Sequence, residues 1–184
     1  MTTLLAYPNF WLILLICAPY DYMKLIPLLV ILVFRSNYTL IELLEFLALA
    51  TGDVAMIMVR SFKDKEPLFI GVLAFNFFVV LRIITEVTNF PSKRKWPWLL
   101  FFTMAILLIY FHPIKERFLQ TYVISLATLL SVRWSRDYSS YLFLGDTLYV
   151  LSDCLLLVSL THRFLGDWII GRIVYWSSLA LIYT

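Results

Sequence analysis

From residue 4 to residue 183 the chain repeats one pattern: an apolar run, then a short break of charged residues or proline. Eight runs can be placed, near 4–19, 23–35, 39–59, 67–88, 96–111, 115–134, 140–161 and 165–183. A helix needs roughly 17–25 mostly apolar residues to cross a bilayer. The pattern therefore predicts an all-α fold, a polytopic transmembrane bundle of about eight helices forming one integral membrane domain over residues 1–184. The second run is short, and if it is tilted, interfacial or re-entrant, seven helices cross. Pro19, Pro67, Pro91, Pro97 and Pro113 fall near run boundaries, where proline is tolerated, whereas Pro27 is placed to kink the second helix.

Composition supports this reading. Of the 184 residues, 62% are hydrophobic and only 15% are charged, more apolar surface than a soluble domain of this length needs. The net charge of +3 is spread over short loops, which argues against nucleic acid as a partner. The start of the chain lacks the basic region of a cleaved signal peptide, so the first run reads as a retained helix. The expected location is a multi-pass position in an endomembrane such as the endoplasmic reticulum, or in the inner membrane of a bacterium. Basic residues divide almost evenly between the two expected sides. Arg35, Lys93, Arg94, Lys95, Arg133 and Arg136 lie on one, and Lys24, Arg60, Lys63, Lys65, Lys115, Arg117 and Arg163 on the other, so the positive-inside rule assigns no orientation. Lys93-Arg94-Lys95 beside Trp96-Pro97-Trp98 has the character of an interfacial anchor.

Two aspartates sit where a bilayer penalises them. Asp53 lies in Thr51-Gly52-Asp53-Val54 and Asp153 in Val150-Leu151-Ser152-Asp153. A carboxylate at membrane depth faces a partner or a polar cavity and marks a candidate functional site. Glu42, Glu45 and Asp53 share one broad face of the third helix, with Glu42 and Glu45 expected to reach interfacial water and Arg60 to partner Asp53. Asp146 and Asp153 share a face of the seventh helix, Asp146 nearer an interface. Arg82 and Glu86 form an i,i+4 pair on the fourth helix, and Arg172 precedes Tyr175 by one turn on the last. Arg82 and Arg172 either snorkel or counter a buried aspartate.

Two buried carboxyl groups in unlike surroundings can divide the work of acid–base catalysis, one giving a proton while the other stays ionised. That pairing suits a vinyl ether. Protonation at carbon gives an oxocarbenium ion that a carboxylate stabilises, water adds, and the hemiacetal collapses to aldehyde and alcohol. Neither a metal nor a nucleotide cofactor is required. The same residues equally suit a proton relay in a small transporter. There is no P-loop, no G-x-G-x-x-G and no G-x-S-x-G. His112 and His162 are placed at helix ends without metal-ligand spacing, and Cys17 and Cys154 read as packing residues. Ser125, Ser152, Ser159 and Ser177 are ordinary in membrane helices, where small residues allow close approach.

Several short motifs, in order along most of the chain, resemble the lysoplasmalogenase family of multi-span membrane proteins. They are Lys24-Leu25-Ile26-Pro27, Gly52-Asp53-Val54, Gly71 through Phe75, Tyr122 with Arg133, and above all Gly145 through Asp153. The resemblance implies cleavage of the vinyl-ether bond of a lysophospholipid, giving a fatty aldehyde and glycerophospho-ethanolamine or -choline. It carries Asp53 and Asp153 over as catalytic residues. Lys24, Arg82, Tyr149, Arg172 and Tyr175 are the candidates to bind substrate. The chain departs from the family where Val79 replaces a histidine, Arg82 a tyrosine, and Ser178 a position near the family's terminal glutamine. Those departures leave a second class open, a non-catalytic lipid-binding protein of the same fold.

Overall fold

The computed structural model describes residues 4–20, 23–34, 37–62, 65–89, 94–111, 116–136, 141–161 and 167–183. The expectations placed on Arg35, Lys63, Pro91, Lys93, His112, Pro113, Lys115, His162 and Arg163 lie outside them, as do the side chains of Arg60 and Ser159. The described residues are all-helical. After a 3-10 turn over Leu4–Ala6 come α1 (Pro8–Cys17), α2 (Leu25–Phe34), α3 (Leu40–Phe62), α4 (Lys65–Asn89), α5 (Trp96–Phe111), α6 (Arg117–Trp134), α7 (Tyr141–Thr161) and α8 (Asp167–Tyr183).

Proline explains where four of these begin. Pro8, Pro27, Pro67 and Pro97 each occupy one of the first three positions of α1, α2, α4 and α5. The first-turn N–H groups of a helix have no intrahelical acceptor, so proline forfeits nothing there. Pro27 thus starts α2 rather than kinking it, contrary to the sequence expectation. α3 is opened by a capping box. The Glu42 carboxylate accepts from the backbone N–H and hydroxyl of Thr39 at 2.8 and 2.9 Å, and the Thr39 hydroxyl accepts from the Glu42 N–H at 3.3 Å.

Glu66–Thr88 of α4 and Tyr141–Val158 of α7 are long and apolar enough to cross a membrane. α1, α2, α5 and the Ile169–Tyr183 stretch of α8 are apolar but shorter. At 1.5 Å per residue, the ten residues of α1 and of α2 rise only about 15 Å, half a hydrocarbon core.

The chain forms two compact units, Thr39–Tyr138 and a discontinuous one of Met1–Tyr38 with Ser139–Thr184. In the first, α3 packs on α4, α4 on α6, and α5 on α6. In the second, α7 packs on α8, and α1 and α2 lie against each other and against α8. Both units have a glycine where two helices come close. A Cβ on Gly52 would stand 2.5 Å from the Phe75 ring, so α3 gives up a side chain to seat that aromatic on α4. A Cβ on Gly145 would stand 2.8 Å from Ile182 Cγ1 and 3.1 Å from the Ser178 carbonyl oxygen, which fixes the close approach of α7 and α8. The glycines of the Gly-Asp and Gly-to-Asp motifs therefore have a packing cause of their own.

Candidate functional site

In the Thr39–Tyr138 unit, Asp53 follows Gly52 at the α3–α4 crossing and is fully buried, at 0% exposure. Gly71 of α4 lies against Ala55 and the Gly52 carbonyl, and Phe75 against Gly52. This antiparallel register brings Glu45, at 1% exposure, level with Arg82, at 6%. Asp53 lies about 12 Å further along the pair, at 1.5 Å per residue. Burial of Glu45 corrects the expectation that it reaches interfacial water. Val79, one turn before Arg82, is itself completely buried.

Glu86 is the next charged group toward the end of α4, and it meets two arginines at the end of α6 and just beyond it. Its Oε2 accepts from Arg133 Nη1 at 2.7 Å and from Arg136 Nη1 at 3.1 Å. Arg136 Nη1 also donates to the Glu86 backbone carbonyl. All three side chains are at least nine-tenths buried. Desolvation draws the Arg136 guanidinium below its usual range, Glu86 opposes that, and Arg133 adds to it. The sequence reading pairs Glu86 with Arg82, counts Arg133 and Arg136 only as charges on one side, and sets Arg133 beside Tyr122 on the sixth helix. The signal it missed was that Glu86 near the end of α4 and the arginines at the end of α6, 47 and 50 positions away, come together where those two helices pack.

In the other unit α7 presents a buried polar seam. Asp146, Tyr149 and Asp153 are 0, 0 and 4% exposed and recur at i, i+3 and i+7, one face of a helix. Asp146 is thus covered by protein as fully as Asp153. Across from them on α8 the Tyr175 ring lies 6.0 Å from that of Tyr149, at an interplanar angle of 47°. Arg172, one turn before Tyr175, donates from Nη1 to the Ala18 carbonyl at 2.7 Å. Ala18 is the C-cap of α1, so the guanidinium caps an orphan carbonyl at the negative end of that helix. Lys24 is half-buried in the turn that leads into α2.

The serine hydroxyls are used locally. Ser125, Ser152 and Ser178 donate to the carbonyls of Thr121, Tyr149 and Tyr175 at 3.1, 2.7 and 2.6 Å. Of the predicted site residues, Asp153, Lys24, Tyr149, Arg172 and Tyr175 belong to one unit, and Asp53 and Arg82 to the other. The structure brings Tyr149 and Tyr175 together. A groove of about 870 Å³ along α3 and α4 is lined by Thr51, Val54, Met58, Glu66 and Pro67, and Asp53 is not among its lining residues. Comparison with family models, with curated proteins and with solved structures returned no match.

Proposed function

We propose that the protein is a polytopic membrane hydrolase of the lysoplasmalogenase type, acting on the vinyl-ether bond of a lysophospholipid. The observation that supports this reading is the burial of Asp53 and Asp153, at 0 and 4% exposure, within helices as apolar as α3 and α7. A carboxylate survives such surroundings only with a partner and a use. In the proposed reaction Asp153 delivers a proton to the vinyl carbon and the Asp53 carboxylate stabilises the oxocarbenium ion. Water then adds to that ion and returns a proton to the site. The hemiacetal breaks to a fatty aldehyde and a glycerophospho-alcohol, so that one water is consumed per ether cleaved. Lys24, Arg82 and Arg172 are the cations proposed to meet a substrate phosphate, and Tyr149 and Tyr175 the side chains proposed to orient it.

A second reading, a lipid-binding protein of the same fold without turnover, is favoured by two observations. Val79 is fully buried where the family resemblance calls for a histidine, and the Ser178 hydroxyl is committed to its own helix. The deciding experiment is aldehyde release from a defined lysoplasmalogen by detergent-purified protein, with Asp53→Asn and Asp153→Asn alongside. Release that both substitutions abolish supports the hydrolase. Folded protein that retains the lipid without releasing aldehyde supports the second reading and refutes the first.

A further inference from the structure

At one end of the Thr39–Tyr138 unit, tertiary contacts gather basic and aromatic residues that are far apart in sequence. The backbone N–H of Arg94 donates to the Ser135 carbonyl at 3.1 Å, which seats the start of α5 on the end of α6. Next to it the Trp96 and Trp134 rings meet edge to face with centroids 6.1 Å apart, and Phe101 packs on Trp134 at 5.4 Å. Arg133 and Arg136 converge on Glu86 at the same place. The described residues of these three helix ends include four cations, Arg94, Lys95, Arg133 and Arg136, and one carboxylate, Glu86. Lys93 and Asp137, which adjoin these stretches in the sequence, offset each other.

The four cations have two different jobs. Arg133 and Arg136 are buried and bonded to Glu86, so they fasten α6 to α4. Lys95 is exposed, Arg94 is half-buried, and Trp96 is 47% exposed between them and the helix. Two accessible cations beside an amphipathic indole match the layer where headgroup phosphates lie over acyl chains. At the opposite end of α6 the two signs alternate closely: Lys65 precedes Glu66, Glu116 precedes Arg117, and Glu66 and Glu116 line one groove of about 560 Å³ with Phe69 and Phe118.

We propose that the α4–α5–α6 end binds the headgroups of anionic phospholipids, Arg94 and Lys95 meeting the phosphates while Trp96 lies at headgroup depth. The inference rests on the membrane reading of the chain and not on its hydrolase reading. Its test is competition for bound lipid. Detergent-purified full-length protein is incubated with equal amounts of dioleoyl-phosphatidylglycerol and dioleoyl-phosphatidylcholine, and retained lipid is counted by native mass spectrometry. Wild type is expected to retain phosphatidylglycerol preferentially. At about fivefold per cation, Arg94→Gln with Lys95→Gln is expected to cut that preference by about thirtyfold. Arg117→Gln, at the other end of α6, is expected to leave it intact. Equal retention of the two lipids by wild type, unchanged preference in the double variant, or an equal loss in Arg117→Gln each overturns the proposal. Circular dichroism and elution volume establish that the variants are folded. If the double variant fails them, Lys95→Gln alone carries the test at about fivefold. Aldehyde release reads the hydrolase proposal separately, and a chain that stays soluble without detergent would refute the membrane reading itself.

Discussion

Removing the carboxylate of Glu86 should be among the most damaging single changes to the Thr39–Tyr138 unit. Its Oε2 is shared by two guanidinium groups, at 2.7 Å from Arg133 and 3.1 Å from Arg136, with the side chains only 5–8% exposed. Glu86→Ala removes the carboxylate that both buried cations share. Arg136 keeps its bond to the backbone carbonyl of residue 86. Breaking a buried pair from one side costs about 3–5 kcal/mol. For a chain of this size that corresponds to a fall of roughly 6–20 °C in melting temperature. Thermal denaturation of detergent-purified protein, followed by circular dichroism, measures it. Glu86→Gln retains an acceptor oxygen and should fall between Ala and wild type. Glu86→Leu combined with Arg133→Leu should recover much of the loss, because replacing a buried pair with apolar groups is often neutral. A Glu86→Ala penalty below about 1 kcal/mol would place the cluster in the class of solvated surface pairs and refute the reasoning. Strict additivity in the double variant would refute the coupling.

Two glycines separate packing from helix propensity. Ala gains up to about 1 kcal/mol over Gly in a helix interior, and Gly171 has nothing within 4 Å of a built Cβ, so Gly171→Ala should raise the melting temperature. Gly145→Ala must displace Ile182 or the Ser178 carbonyl, at an overpacking cost of about 1–3 kcal/mol, and should melt below Gly171→Ala; equal melting would refute the close α7–α8 approach. Arg172→Leu removes a charged hydrogen bond worth about 1.5–3 kcal/mol from the Ala18 carbonyl. Amide exchange along α1 should accelerate by one to two orders of magnitude while α3 and α4 keep their protection, and unchanged α1 exchange would show that the bond does not hold that helix.

Helix placement was legible because its signals are local. Charge and proline break the apolar runs, and the observed ends of α4, α5, α6, α7 and α8 fall within two residues of those expected. α3 runs three residues past its expected end, through Arg60, because a helix can carry a terminal arginine toward water without a break. Pro27 was misread for a local reason too. Two residues decide whether a proline lies in a helix interior or in its first turn, and the apolar pattern around it is the same in both cases. The polar groups were legible as individuals and not as partners. Asp53 and Asp153 were legible as polar residues within apolar helices, yet Glu45 looked solvated because exposure was judged from distance to the run's end. Burial at those positions depends on which neighbouring helix covers them, which periodicity does not carry. The same limit hid the Glu86–Arg133–Arg136 cluster. An i,i+4 rule finds Arg82 beside Glu86, but a partner 47 residues away is set by the packing of α4 on α6.

The bond between Arg172 and Ala18 spans 154 positions of the chain. During synthesis the α1 carbonyl therefore waits for its donor until α8 has emerged, whereas every contact within Thr39–Tyr138 can form as that continuous segment is completed. The first residues made are among the last to be secured. A ribosome that stops before residue 172 leaves a finished middle and an undocked beginning, so premature termination in the final helix should be felt first at the N-terminus, as an exposed α1 offered to proteases and quality control.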